Sequence, residues 1–376
     1  MRIAVDARSL LTRHPRGEGR SLFHLYDNVA RLRPQWRVVF YGEERADPGF
    51  RAANFSNRIL SIPGHRFNAW ENIALPLSAM ATGADLLHSS GSSTPRFPLT
   101  PTIMTVHDVI PLIFDDGLSP RTVERFRVQM QAGIRKARGI IVVSENTRTD
   151  LLSLFPVDPA KVVVIPWGSL PPPAQVAPEL RAVTLAQVEI RAPFVLAFAG
   201  GARRKNTEGV LRAFARMRTT EAMLVLVGLN DPASRTSAAK LADELGCGAR
   251  VRLLNYVDDD TLEIVLQSAD VLVYASLYEG FGLPLLEAMS RAVPVVASRT
   301  SSIPEVAGDA ALLVDPTDPD EIAAAVDLVL NDADRRVQMT SRGLARAAKF
   351  TWDDTAQKTV ALFESVLART AFSHAQ

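Results

Sequence analysis

The chain has 376 residues, of which 47% are hydrophobic and 22% charged, and its formal net charge is +1. That length suits two domains, and the balance is that of a folded globular protein rather than a disordered one. Cys247 is the only cysteine, which excludes an intrachain disulfide framework and a cysteine-rich zinc site and fits a reducing cytoplasm. No apolar run is long enough to cross a bilayer, and the opening Met1-Arg2-Ile3-Ala4-Val5-Asp6 reads as a core strand rather than a secretory leader. The small net charge hides an asymmetry: residues 1–170 carry 21 basic and 15 acidic side chains, a net +6, and the remainder is −5. A basic first half could face anionic lipid or an acidic acceptor, or be a solvated surface partly paired with the other half.

Short apolar runs alternate with amphipathic stretches, the pattern of parallel sheets with crossover helices. In the first half, strands are expected at Ile3–Asp6, Arg37–Tyr41, Leu86–His88, Thr102–Val106, Ile140–Val143 and Val162–Ile165. Helices are expected at Ser21–Arg33, Trp70–Ala81 and Pro120–Ala137. The run Pro166-Trp167-Gly168-Ser169-Leu170-Pro171-Pro172-Pro173 cannot continue a helix or a central strand and marks a connection, with the boundary near 168–190. Beyond it, strands are expected at Phe194–Ala199, Met223–Val227, Val251–Leu254, Val271–Tyr274, Pro294–Ala297 and Ala311–Val314. Helices are expected at Thr207–Met217, Ser237–Leu245, Asp260–Ser268 and Pro284–Arg291, and the chain after 318 reads as wholly helical to about Ala371. The expected architecture is therefore α/β, with two Rossmann-like doubly wound domains at 1–170 and 171–350. A helical tail at 351–376 is expected to return to the first domain. Ligands of such sheets bind at the carboxyl ends of the strands, in a cleft between the two domains.

Four segments carry candidate chemistry. Ser276-Leu277-Tyr278-Glu279-Gly280-Phe281-Gly282-Leu283-Pro284 leaves a strand and opens a helix. Its glycines permit close approach, the helix N-terminus suits a phosphate, and Glu287 falls about one turn inside. The two glutamates could accept sugar hydroxyls; a glycine-rich turn with a dipole-stabilising glutamate reads the same way. Gly200-Gly201-Ala202-Arg203-Arg204-Lys205-Asn206 follows another strand and could clamp a diphosphate, or be a basic exposed turn. His107 and Asp108 end the strand Thr102–Val106, where a histidine is either cleft-facing or structural and the aspartate could be a local cap. Gly17-Glu18-Gly19-Arg20 opens the first helix but lacks the third glycine of a dinucleotide fingerprint, which disfavours a nicotinamide dehydrogenase. Asp258-Asp259-Asp260 and Asp318-Pro319-Asp320 read as helix caps rather than metal ligands.

Taken in order, these segments resemble the family 4 retaining glycosyltransferases, which adopt the GT-B fold. Glu279 and Glu287 match the family's paired glutamates eight positions apart. Glu-Gly-Phe-Gly-Leu-Pro, Pro294-Val295-Val296-Ala297-Ser298, Ile303-Pro304-Glu305-Val306 and Leu313-Val314-Asp315-Pro316 agree in order and spacing. Weaker matches are Trp70-Glu71-Asn72, Val143-Ser144-Glu145-Asn146 and Asn255-Tyr256-Val257. The resemblance implies that Glu279 contacts the transferred sugar and Glu287 the ribose. It places Arg204 and Lys205 on the diphosphate, with Arg203 as the alternative arginine because the loop is one residue short. It sets His107 against the donor sugar, with a lesser role for Asp108. Gly19, Gly201, Tyr256, Gly282 and Leu283 complete the nucleotide side. Glu18 replaces the apolar residue usual in the Gly-Ile-Gly-Arg loop, which bears on the acceptor.

The resemblance further implies a nucleotide-sugar co-substrate, no cofactor and no catalytic metal. The first expectation is mannose from GDP-mannose, the second glucose from UDP-glucose. The expected acceptor is a saccharide or polyprenyl-linked saccharide of a cell-surface polysaccharide, and no nucleic-acid partner is expected. A sugar-nucleotide epimerase or hydrolase on the same fold is the alternative, and a non-catalytic sugar-binding protein would not need both glutamates and both cations. The expected location is cytoplasmic, with possible peripheral contact at the inner face of the membrane. A lipid-facing role is conceivable for Pro120–Arg138, where Arg121, Arg125, Arg127, Arg135, Lys136 and Arg138 accompany Phe126, Val128, Met130 and Ile134; the alternative is a core-packed helix with an arginine-rich outer face.

Overall fold

A computed structural model describes the chain except for residues 14, 16, 45–46, 63–68, 171–173, 256 and 375–376. The expected connection therefore lies partly outside the described residues, since Pro171, Pro172 and Pro173 are among these. The chain forms two compact units. Unit 1 takes Met1–Ile113, Leu118–Gly168 and Phe350–Gln376, and unit 2 takes Phe114–Gly117 and Ser169–Lys349.

Unit 1 holds a seven-stranded sheet of β1 (Arg2–Asp6), β2 (Arg37–Gly42), β3 (Phe55–Ile59), β4 (Leu86–Ser89), β5 (Thr102–Val106), β6 (Gly139–Val142) and β7 (Val162–Val164). All neighbours are parallel and the order is β3-β2-β1-β4-β5-β6-β7. Every position of β4, β5 and β6 is buried, as a sheet covered on both faces requires. One face packs on Trp70, Leu75 and Ala79, from a π-helical turn Trp70–Ala74 that runs into helix Leu75–Ala81. It also packs on Met130 and Ile134 of helix Pro120–Lys136. Those two apolar residues therefore face the core, and of Phe126, Val128, Met130 and Ile134 only Val128 is exposed, at 45%. The other face carries helices Gly17–Leu32 and Trp352–His374, where Phe363 is wholly buried and stacks on Trp36.

A buried ion network closes the carboxyl end of β1. Arg8 Nη2 lies 2.5 Å from Asp6 Oδ2 and 2.8 Å from Glu71 Oε2, and Ser93 Oγ donates to Glu71 at 2.9 Å. The guanidinium sits 4.3 Å from the centre of the Trp70 ring. Burial pushes the Glu71 carboxyl above its ordinary range, against the pull of Arg8. The two flanking carboxylates hold the Arg8 guanidinium firmly charged, although burial alone works the other way.

Unit 2 holds β8 (Phe194–Phe198), β9 (Met223–Val227), β10 (Val251–Leu254), β11 (Val271–Tyr274), β12 (Val295–Ser298) and β13 (Ala311–Val314). They are parallel in the order β10-β9-β8-β11-β12-β13. In both sheets the order reverses next to the first strand, between β1 and β4 and between β8 and β11, and ligands of open α/β sheets bind at that switch point. Both aspartate-rich motifs are caps. Asp258 accepts from the Thr261 amide at the start of helix Asp259–Ser268, and Asp318 accepts from those of Asp320 and Glu321. The sequence reading omits β3 and the helices Glu145–Leu154, Pro178–Gln187 and Ile303–Ala307.

Removing Arg8 strands two buried carboxylates. Arg8→Ala is therefore expected to destabilise unit 1 by about 3–5 kcal/mol, measured as a lower urea midpoint.

Candidate functional site

In unit 2 the loops after β8 and β11 meet. Gly200 and Gly201 follow β8, Arg203–Lys205 make one short helical turn, and Asn206 enters helix Thr207–Arg216 in the left-handed region at φ 53°. Its side-chain Nδ2 donates to the carbonyls of Ala275 (2.9 Å) and Pro316 (2.7 Å), and the Leu277 backbone amide donates to the Arg204 carbonyl at 2.7 Å. These bonds fix both cations relative to the second loop. Lys205 Nζ is 2.7 Å from Glu279 Oε1, and Arg204 Nη1 is 3.1 Å from Oε2. Arg204 Nε also meets Asp116 Oδ2 at 3.0 Å, within the Phe114–Gly117 segment of this unit. Arg203, the alternative arginine, is exposed and pairs with exposed Asp115, so it is Arg204 that reaches the glutamate.

Glu279 is buried, and its backbone is bolted in place. Its amide donates to Ser301 Oγ at 3.0 Å, and Ser302 Oγ donates to the carbonyls of Glu279 (2.9 Å) and Phe281 (2.8 Å). Each carboxylate oxygen receives one cation and the Tyr274 phenol also bonds the group, which leaves the carboxylate capacity for one more hydroxyl hydrogen bond. Beyond it Gly282 adopts φ 118°, a conformation that favours glycine, and begins helix Leu283–Ser290 with Pro284 in the first turn. Leu283, Pro284 and Glu287 share the less buried side of that helix, one turn apart. Lys205 Nζ lies 5.7 Å from the Tyr274 ring centre, and burial beside Glu279 pushes the Tyr274 phenol well up. Gly201 has a steric reason of its own, because a Cβ there would sit 2.5 Å from Ser234 Oγ. Tyr256 lies outside the described residues.

In unit 1, His107 follows β5. Its Nε2 is 2.6 Å from the Ser90 carbonyl, so it donates there, and buried Nδ1 has no hydrogen-bond partner among the described residues. In the neutral ring Nδ1 is then an acceptor. His107 borders a small cavity with Glu18, His88, Thr105, Trp167 and Thr359, and the His107 ring lies 5.1 Å from that of Trp167. Behind it His88 is fully enclosed, with Nδ1 at 2.8 Å from Tyr26 Oη and Nε2 at 2.8 Å from Thr105 Oγ1. Burial, reinforced by His107, pushes the His88 imidazole down to about 3. Asp108 Oδ1 accepts from the Ile110 amide at 3.0 Å. Gly19 packs on backbone: a Cβ there would lie 2.2 Å from the Ser9 carbonyl oxygen.

Four contributors escape a reading of the sequence. Ser301 and Ser302 stand in a serine-threonine run after β12, which is their one signal. Asp116 lies 88 residues before its arginine. Arg8 stands two residues past its partner Asp6, but its second carboxylate, Glu71, lies 63 residues on with nothing local to announce it.

Two parallel sheets of this topology, with their functional groups on the loops at the switch points, define the GT-B class of fold. Among solved structures, sucrose-phosphate synthase from Thermosynechococcus elongatus shares it with a TM-score of 0.76, at 22% identity over 98% of this chain and 99% of that one. HepE from Anabaena, solved in complex with UDP and glucose, has a TM-score of 0.75 at 18% identity over 97% of this chain and 100% of that one.

The chain belongs to the group 1, family 4 glycosyltransferases. The model for glycosyl transferases group 1 matches residues 187–346, and that for Glycosyltransferase Family 4 matches residues 16–168. O-antigen chain mannosyltransferase B from Escherichia coli is 32% identical over 69% of this chain and 68% of its own length. The MMP alpha-(1->4)-mannosyltransferase of Mycolicibacterium hassiacum is 33% identical over 65% of this chain and 58% of its own length.

If Lys205 and Arg204 hold a diphosphate, Lys205→Ala removes a charge-assisted contact of about 1.5–3 kcal/mol. Calorimetry with nucleoside diphosphates should read a tenfold or greater loss of affinity with an unchanged fold. His88 gives a pH signature. Its folded-state value lies below the 6.5 of the free side chain, so the unfolded chain takes up the proton first. The stability it contributes is complete above about pH 6.5 and falls by about 1.4 kcal/mol per pH unit as acid is added towards pH 3. His88→Gln should flatten that slope by one proton in pH-dependent urea unfolding.

Proposed function

We propose that the chain is a retaining, metal-independent hexosyltransferase. It takes mannose from GDP-mannose, with glucose from UDP-glucose as second choice, to a saccharide or polyprenyl-linked saccharide of a cell-surface polysaccharide. The observation that carries the reading is the Lys205–Glu279–Arg204 cluster beside the glycine-led start of helix Leu283–Ser290. Cations and a helix N-terminus suit a leaving diphosphate, and a glutamate with spare lone pairs suits the hydroxyls of the sugar it leaves. Two mannosyltransferases among the relatives support mannose over glucose.

In this reading the bond between the anomeric carbon and the diphosphate oxygen breaks, and the acceptor oxygen attacks from the same face. The acceptor's proton passes to the departing phosphate oxygen. Arg204 and Lys205 compensate the charge that develops there, Glu287 holds the ribose, and His107 Nδ1 accepts from a hydroxyl of the donor sugar. The protein's share is positioning and fixed charge. Metal independence is supported by the way the aspartate-rich motifs are used, since the Asp258 and Asp318 carboxylates cap helices. A membrane-borne acceptor would place the enzyme at the inner face of the membrane as a peripheral protein.

A thermal-shift panel of nucleotide sugars, followed by transfer assays in EDTA, tests this. GDP-mannose should give the largest shift, and transfer should survive chelation with the α-anomer in the product. Turnover of the donor at equal rate without any acceptor would replace the transferase with an epimerase or hydrolase.

A further inference from the structure

Unit 1 carries an apolar ridge that its own core leaves outside. In the π-helical turn and the helix after it, Trp70, Ala74, Leu75 and Ala79 pack inward, while Ile73, Leu77 and Met80 recur about a turn apart on the outer side. Phe97 and Leu99 extend the ridge, because the Arg96 amide donates to Asn72 Oδ1 at 2.9 Å and holds that segment against the turn. The five side chains are 48–73% exposed.

A basic surface flanks this ridge on the same face of the sheet. Parallel partners point the same way, and the register links Ala4 with Leu87, Leu87 with Thr102, and Met104 with Ile140. Ala4 and Leu87 lie under Leu75 and Ala79, whereas Met104 and Ile140 lie under helix Pro120–Lys136. The two helices are thus side by side on one face, and Thr94 comes close enough to Gly133 that a Cβ there would meet its Cγ2 at 2.9 Å. Arg96, Arg121, Arg125, Arg135 and Lys136 stand exposed along this layer. The exposed acid on these three segments is Glu124, 3.7 Å from Arg127.

We infer that this face is a membrane-docking surface, in which Ile73, Leu77, Met80, Phe97 and Leu99 enter the interfacial region of a bilayer and the arginines meet anionic headgroups. The charge selects the occupant. Two copies of the chain brought together through this face would oppose cation to cation, whereas anionic lipid complements it. The inference gives a location to the peripheral attachment proposed above and rests on it, but it moves the inserting residues from helix Pro120–Lys136 to the neighbouring ridge.

Co-sedimentation of the full chain with vesicles of phosphatidylcholine alone, or mixed with phosphatidylglycerol, tests it. The mixed vesicles should bind at least tenfold more protein, and less as salt is raised. Leu77→Glu with Phe97→Glu should lower that binding at least tenfold, and Arg121→Glu with Arg125→Glu should abolish the preference for anionic lipid. Circular dichroism and transfer to a water-soluble acceptor should stay unchanged in both variants. No binding at low salt, or binding untouched by Leu77→Glu with Phe97→Glu, overturns the inference. Self-association of the chain that this variant abolishes, without vesicle binding, assigns the face to a second copy and also overturns it. Vesicle binding is read without turnover, so a failed docking surface and a failed transferase reading give different results.

Discussion

The ion pairs from Arg204 and Lys205 to Glu279 join the two loops that leave the strands on either side of the switch point in unit 2. A carboxylate buried without partners would be costly, and two long cationic side chains without a fixed partner would sweep a large volume. Pairing solves both problems, and the loops inherit the geometry: Asn206 ties the first to β11 and β13, and Ser301 and Ser302 tie the second to the segment after β12. The resulting cluster is partly buried, charge-compensated and set beside the start of helix Leu283–Ser290.

Unit 1 follows a different rule. At the switch point of its sheet the charges are turned inward, and Asp6, Arg8 and Glu71 are all buried. At the strand ends of β4 and β5, His88 is kept uncharged by enclosure, and His107 Nε2 is engaged by the Ser90 carbonyl. In the proposed reaction, unit 2 handles the anionic leaving group and unit 1 offers hydrogen bonds to uncharged hydroxyls.

The strands of both cores were legible because full burial writes continuous apolar runs such as Ile140–Val143 and Val271–Tyr274. β3 was not, because Phe55-Ser56-Asn57-Arg58-Ile59 is an edge strand with three exposed central positions. Helix Glu145–Leu154 was missed because its polar sequence buries only Thr147 and Leu151. At the site, the glycines and charges were legible one loop at a time. The Lys205–Glu279 pair spans 74 residues, a separation no local spacing encodes, so the cations and the glutamate could be named from resemblance without being seen as one cluster. The stretch Pro120–Ala137 allowed two readings because its apolar stripe is imperfect, and Met130 and Ile134 in the core bear out the core-packed helix with an arginine-rich outer face.

Unit 1 is discontinuous in the chain. Helix Trp352–His374 follows all of unit 2, yet it supplies Phe363 to stack on Trp36 and Thr355 to bond the Pro166 carbonyl, and Gly168 has no room for a side chain against the Trp352 backbone. During synthesis the first 168 residues therefore leave the ribosome with one sheet face covered by helix Gly17–Leu32 alone, and the rest of that cover is encoded some 180 residues later. Unit 2, apart from Phe114–Gly117, is continuous from Ser169 to Lys349 and can complete its core first. The last part of the unit 1 core to be translated thus belongs to the first part begun, and until it emerges the apolar surface meant for helix Trp352–His374 is exposed to other chains.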